Sequence, residues 1–287
     1  MSPYSEFALS QEEKTSGLIL ACRSVPWSDA AVEWLGEDES VAHPVRKLVC
    51  RVAGLDRLTH DIKRVRCAVI AGGPFLFSAG QYCSVTFDRL PARDYSMANV
   101  PDDPVLEFHV RQIAGGATSR YVGERLAVGE EITVEGPYGT SWLREAHRGP
   151  ILALAGGSGL APIKSMVERA LQLGMRQDIH LYFGVRDEGD LYLEDHFAAL
   201  ARKHANLKLV PVLSAPTQPT VRRTGYLHDA VAADFGDLDG FKAYLAGPPP
   251  MVEAATGLLR SRGMPRHDIH ADAFYTEAEK TDPGAKR

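Results

Sequence analysis

The chain has 287 residues, 37 acidic against 32 basic, for a formal charge of -5: enough length for two cores, and the wrong sign for a nucleic-acid binder. No apolar run approaches the roughly 18–20 residues that cross a bilayer, and residues 1–14 are too polar and acidic for a secretory leader, so a cytoplasmic protein with no membrane partner is expected. Its four cysteines, Cys22, Cys50, Cys67 and Cys83, lie far apart, which argues against a zinc clip or a CxxC redox motif.

Residues 1–44 show no core of their own, only a short apolar stretch over 18–22 among charges. From 45 onward the runs 47–52, 82–87, 106–111 and 131–135 mix β-branched or aromatic residues with polar ones near period two, as half-buried strands do. Turns are expected at 80–81, 101–104 and 136–139, and a short helical pattern at 119–125. An antiparallel barrel is the natural closure for such strands.

The pattern changes at Gly149-Pro150. Residues 151–155 are wholly apolar, as in a parallel strand buried on both faces. A helix over 161–173, a strand over 179–185, a helix over 191–204, a strand over 207–213, a strand over 243–246 and a helix over 250–262 follow. Such alternation implies a doubly wound parallel sheet. The expected architecture is thus a β-barrel domain over 45–148 followed by an α/β nucleotide domain over 149–275, with 1–44 before them and a disordered tail over 276–287.

Five stretches carry chemistry. Arg93-Asp94-Tyr95-Ser96 sets a guanidinium that can fork onto phosphate beside a flat ring and a hydroxyl; alone it reads equally as a surface strand end. Gly115-Gly116-Ala117-Thr118-Ser119 precedes a helix and suits an anion at a helix N-terminus, or else is a plain turn capped by Ser119. Gly156-Gly157-Ser158-Gly159-Leu160-Ala161-Pro162 follows a buried strand and opens a helix, the context of a phosphate loop, although its spacing is not GxGxxG. Ala246-Gly247-Pro248-Pro249-Pro250-Met251 is a second strand-to-helix link at the ligand-binding end of a sheet. His270-Ala271-Asp272-Ala273-Phe274-Tyr275 ends the last strand with aromatics that either cover a cofactor or close a core.

In this order the motifs resemble the ferredoxin–NADP reductase superfamily, and more narrowly the reductase components of aromatic-ring-hydroxylating dioxygenases of naphthalene type, over roughly residues 16–275. The narrower likeness is carried by Thr59-His60-Asp61-Ile62, Glu107-Phe108-His109-Val110-Arg111, Leu181-Tyr182-Phe183-Gly184-Val185-Arg186 and Ala271-Asp272-Ala273-Phe274-Tyr275. The resemblance implies FAD held by Arg93, Tyr95 and Ser96, by His109 and Arg111 on the next strand, and by Gly116, Ala117 and Ser119 at the diphosphate. It implies NADH, with NADPH possible, on Gly156, Gly157, Gly159 and Pro162, with Arg186 and Asp187 at the ribose end. Gly247, Pro248 and Met251 fall beside the nicotinamide, Phe274 on the flavin face, and Ser96, Ala246 and Phe274 around the reaction. Electrons would pass to a ferredoxin or a Rieske-type oxygenase from a monomeric reductase.

Two departures stand out. Relatives carry cysteine where this chain has Ala246. They also carry a plant-type [2Fe–2S] domain with C-x4-C-x2-C and a later fourth cysteine; the region of Cys22 resembles that fourth ligand, and the loop with the other three is missing from this sequence. Residues 1–44 therefore read as the remnant of a ferredoxin-type domain and linker, with no metal ligands and no [2Fe–2S] cluster expected in the chain as given. The rival readings are a non-catalytic flavin-binding sensor or scaffold, and a reductase of free small acceptors.

Overall fold

The computed structural model describes residues 41–276 and, before them, residues 14, 15, 17–19, 25 and 28. The chain divides into one unit over Met1–Asp38 and another over Glu39–Arg287. Cys22, on which the expected cluster remnant turns, lies outside the described residues, as do residues 277–287 of the expected tail.

Within the second unit the chain first builds six antiparallel strands, β1 (Arg46–Arg57), β2 (Ile62–Ala71), β3 (Tyr82–Phe87), β4 (Arg93–Ser96), β5 (Val105–Arg111) and β6 (Glu131–Tyr138). Their order is β4-β3-β6-β1-β2-β5, and a bridge from Met97 to Phe108 draws the two edges together into a nearly closed barrel. Period two sets the inside: along β1, Leu48, Cys50 and Val52 are buried while Val49 and Arg51 are not. With Val85, Phe87, Phe108 and Val134 they form the barrel core, each such side chain contributing about 1.5–3 kcal/mol over exposure. Cys50, Cys67 and Cys83 are free thiols buried in that core, as small apolar residues would be.

Two barrel elements depart from expectation. Strand β2 was hidden by Lys63, Arg64 and Arg66; Asp56 of β1 holds Arg64 and Arg66 at 2.9 and 3.2 Å, so the charges stay on the outer face. The expected turn at 136–139 is strand as far as Tyr138, because Gly136 pairs with Arg46 and Tyr138 with Tyr82. Helix α1 (Ala117–Glu124) follows β5, with Gly116 at its N-cap, so Ser119 lies in the first turn and is not the cap.

The second half alternates β7 (Ile151–Gly156), α2 (Leu160–Gln172), β8 (Ile179–Val185), α3 (Glu194–Lys203), β9 (Leu207–Leu213), β10 (Arg223–Thr224), α4 (Leu227–Asp234), β11 (Lys242–Gly247), α5 (Pro249–Ser261) and β12 (Ile269–Ala273). The sheet is parallel, in the order β10-β9-β8-β7-β11-β12. Strand β7 is buried throughout: Ala153 and Ala155 face one apolar cluster with Ile163 and Phe197, Leu152 and Leu154 the other with Val231 and Leu259. Helix α3 starts three residues later than expected because Leu193 takes a left-handed conformation, φ 56°. Strand order reverses between β7 and β11, which opens the crevice where such sheets bind ligands.

Candidate functional site

The barrel contributes one half of the site. Along β4, Ser96 is buried and Tyr95 packs its ring edge-on to Phe87 at 6.1 Å. Burial pushes the Tyr95 hydroxyl up to about 12, so it stays neutral. Thr118 Oγ1, in the first turn of α1, donates to Pro91 O at 3.0 Å and ties the loop before Arg93 to that helix end. No side chain caps α1: Ser119 Oγ donates to Gly116 O at 3.2 Å and accepts from Ile113 N at 3.2 Å. The half-buried Arg93 guanidinium donates to Ala92 O at 2.7 Å, in the loop that Thr118 ties to α1. Uncapped first-turn amides and a guanidinium on the loop tied to them are groups that suit a flavin phosphate, so the residues present fit FAD.

The other half is built from two loops in contact. Strand β7 ends at Gly156, a 3-10 turn spans Gly157–Gly159, and α2 starts at once. A Cβ on Gly159 would lie 2.0 Å from Ala246 O, and one on Gly156 2.5 Å from Met251 Sδ and 2.9 Å from Pro248 Cδ. Both glycines are therefore required by space, whereas Gly157, at φ 53°, is required by backbone conformation. These loops open on a cleft of ≈ 220 Å³ that collects Gly156, Gly157, Pro248 and Met251, with Arg111 from β5 and Arg186 from the end of β8. A glycine-walled crevice beside a helix start fits a dinucleotide.

Other candidates fall elsewhere. Pro162 is buried in the first turn of α2, behind the cleft. The Asp187 carboxylate is turned into its own loop, accepting from Thr217 Oγ1 at 2.5 Å, Thr217 N at 3.2 Å and Glu188 N at 2.8 Å; the Thr217 hydroxyl in particular holds it below the usual carboxylate range. Asp190, from the same turn, lines the cleft instead. The His109 ring is fully buried and bonds Glu107 and Tyr192, so it does not line the cleft.

The two halves meet at the carboxyl ends of β11 and β12. Ala246 pairs in register with Asp272, and Phe274 N donates to Gly247 O at 2.9 Å. The Phe274 side chain packs, partly buried, on the cluster that holds Ala246. Ser96 Oγ lies 3.4 Å from Asp272 Oδ2 and so joins the barrel motif to the sheet. Burial pushes the Asp272 carboxyl up to about 6, against a smaller pull down from the Ser96 hydroxyl. The role of Asp272 was not read from the sequence; the one signal was an acid between two alanines at a strand end. Among the described residues there is no group of three or more His, Cys, Asp or Glu that could hold a metal, and no helix long and apolar enough to cross a membrane.

Comparison with known proteins agrees with this arrangement. The oxidoreductase FAD-binding domain family matches residues 49–142 and the oxidoreductase NAD-binding domain family residues 153–257. The ferredoxin–NAD(P)+ reductase component of naphthalene 1,2-dioxygenase/salicylate 5-hydroxylase systems from Ralstonia sp. is 45% identical over 258 residues, covering 90% of this chain and 78% of the relative. The corresponding naphthalene 1,2-dioxygenase component from Pseudomonas putida is 42% identical over 257 residues, with the same coverage. Among solved structures, an Amycolatopsis cytochrome P450 reductase superposes with a TM-score of 0.78 at 36% identity, covering 94% of this chain and 82% of its own. With both halves matched in order, the chain belongs to the ferredoxin–NADP reductase superfamily, among the FAD- and NAD-binding oxidoreductases that serve as reductase components of dioxygenase systems.

Proposed function

We propose that this reductase takes electrons from NADH in the cleft at Gly156–Gly159 and passes them through FAD, held by Arg93, Tyr95, Ser96 and the first turn of α1, to an iron–sulfur protein, either a ferredoxin or a ring-hydroxylating oxygenase component. Supporting the acceptor are the relatives from Ralstonia and Pseudomonas putida, both ferredoxin–NAD(P)+ reductase components of naphthalene 1,2-dioxygenase systems. The reading takes the protein as a cytoplasmic monomer. It assigns 45–148 to the flavin and 149–275 to the nucleotide.

Bound FAD supplies the exchange between a two-electron donor and one-electron acceptors. The chain's own part is placement. Arg93 forks onto phosphate and the glycine backbone receives the dinucleotide; Arg111, expected from the sequence at the flavin, lines the dinucleotide cleft instead, paired with Asp61 at 2.6 Å; Tyr95 offers a ring face. Ser96 presents a hydroxyl at the meeting of the two halves, and Asp272 can hold a proton 3.4 Å from it. Ala246 and Phe274 keep that place apolar and dry, which fixes distance and orientation without an obligatory acid–base step. The observation that carries the reading is the Ser96–Asp272 contact, because it sets the flavin motif against the end of the nucleotide sheet. Heat release of the flavin followed by chromatography tests it: FAD is expected, and FMN alone would refute it.

A further inference from the structure

Between barrel and sheet runs a chain of buried polar groups that the proposed cofactor contacts leave out. On β5, Leu106, Phe108 and Val110 belong to the barrel core, so Glu107 and His109 point the other way, toward the nucleotide layer. His109 Nε2 lies 2.9 Å from Glu107 Oε1, and Nδ1 lies 3.2 Å from the Tyr192 hydroxyl, with the two rings edge-on at 5.4 Å. Lys164 of α2, 8% exposed, lies 3.5 Å from Glu107 Oε1 and 3.1 Å from Glu168 Oε2.

Both ends of this chain reach the cofactor loops. Lys164 Nζ donates to Ala98 O at 2.9 Å, and its neighbour Ser165 donates to Asn99 O at 2.6 Å; these carbonyls stand two and three residues after Ser96. The Tyr192 hydroxyl lies 3.3 Å from Gly157 O, in the nucleotide loop. Burial would push the Glu107 carboxyl up, but the His109 hydrogen bond and the Lys164 charge bring it down to about 2, so it stays ionised. Burial holds the His109 ring below its usual value, and so neutral. Tyr192 carries one proton and faces two acceptors, Nδ1 of His109 and Gly157 O, which makes its hydroxyl the joint of the chain.

Apolar packing already closes the seam, since Ile62, Ala79 and Leu143 of the barrel half share a cluster with Ile163 and Met166 of α2. Buried ion pairs add little to such a seam in stability. Directional bonds add something else, a fixed register between the two halves.

We propose that Lys164, Glu107, His109 and Tyr192 form a positioning network that holds the Gly157 loop at a set distance from the flavin strand, and so govern hydride transfer while touching neither cofactor. The inference rests on the assignment of the Gly157 loop to NADH. Tyr192→Phe is the main test, because it removes only the joint. Tyr182→Phe is the control: it removes a hydroxyl bonded to Asp234 within the same half, in the cluster on the sheet's other face.

Tyr192→Phe should keep its flavin, and its limiting rate of anaerobic flavin reduction should fall roughly tenfold, with half-saturation by NADH changed less than about twofold. In flavin-free protein, amide hydrogen exchange over 156–160 should quicken. Tyr182→Phe should change neither. Lys164→Met should slow reduction and Lys164→Arg recover most of the loss. Reduction by Tyr192→Phe at the parent's rate, or a rate loss no larger than that of Tyr182→Phe, overturns the inference. If NADH fails to reduce the parent, the nucleotide assignment falls and the inference with it; the flavin-free exchange experiment separates that outcome from a network that does not hold the loop.

Discussion

Gly159→Ala adds one methyl group where the two nucleotide loops touch. The backbone at Gly159 is ordinary, φ -61°, so conformation does not demand glycine. Space does: the new Cβ would lie 2.0 Å from Ala246 O, 2.4 Å from Ala246 C and 2.8 Å from Gly247 N, all backbone atoms at the end of β11. Contact distances near 3.5 Å then require the loops to part by roughly 1–1.5 Å. Overpacking of this kind costs about 1–3 kcal/mol of stability, and a displacement near 1 Å can cost about 10²-fold in rate. Gly257→Ala is the matched control, since its Cβ in α5 meets nothing within 4 Å. The same methyl there should raise stability by about 0.5–1 kcal/mol, because alanine favours a helix. Steady-state kinetics with NADH, flavin content and thermal midpoints decide between them. Gly159→Ala should keep its flavin, lose about 10²-fold in kcat/KM and melt earlier; Gly257→Ala should keep its activity and melt later. Parent-like kcat/KM in Gly159→Ala would refute the closeness of the loops.

Three further outcomes are expected. Arg93→Ala should lose roughly ten- to a hundredfold in flavin affinity, the worth of a charge-assisted fork of about 1.5–3 kcal/mol; a variant that purifies with full flavin and normal affinity removes Arg93 from the phosphate site. NADH should be preferred to NADPH, since the Asp190 carboxylate lines the cleft and would repel a 2′-phosphate, although Arg186 lines it too; a higher kcat/KM for NADPH contradicts this. Asp272 is raised to about 6 in the fold, so the native state holds its proton more tightly and loses stability as pH rises from about 4 through 6, by up to ~3 kcal/mol. Flavin-free Asp272→Asn should therefore melt above the parent at pH 7, with the advantage shrinking towards pH 4; a constant difference across that range excludes the titration.

The reading from sequence succeeded where local pattern and burial coincide. The run 179–185 matches β8 because it is apolar on both faces, and 82–87 matches β3 because its alternation is clean. Strand β2 and helix α4 escaped, the first because Arg64 and Arg66 stand on its outer face while Lys63, on the other, reaches Gly123 O at 2.9 Å, the second because alanines at 230, 232 and 233 leave little contrast between its faces. The glycine motifs were legible because glycine records a local constraint. The pairing of Ser96 with Asp272 was not, since it joins residues 176 apart, and neither was the buried His109–Tyr192 contact, 83 apart. Residues such as His109 and Asp187 carried the expected types in the expected order, but their side chains also bond to Tyr192 and Thr217, which only the fold brings near.

The central claim is tested most directly by mixing the purified protein anaerobically with NADH in the presence of a separate ferredoxin, while flavin and iron–sulfur absorbance are followed together. The flavin should bleach first, and the ferredoxin should then be reduced with two equivalents per NADH. A flavin that stays oxidised under excess NADH, or one that bleaches while the ferredoxin and an oxygenase component both stay oxidised, would contradict the account.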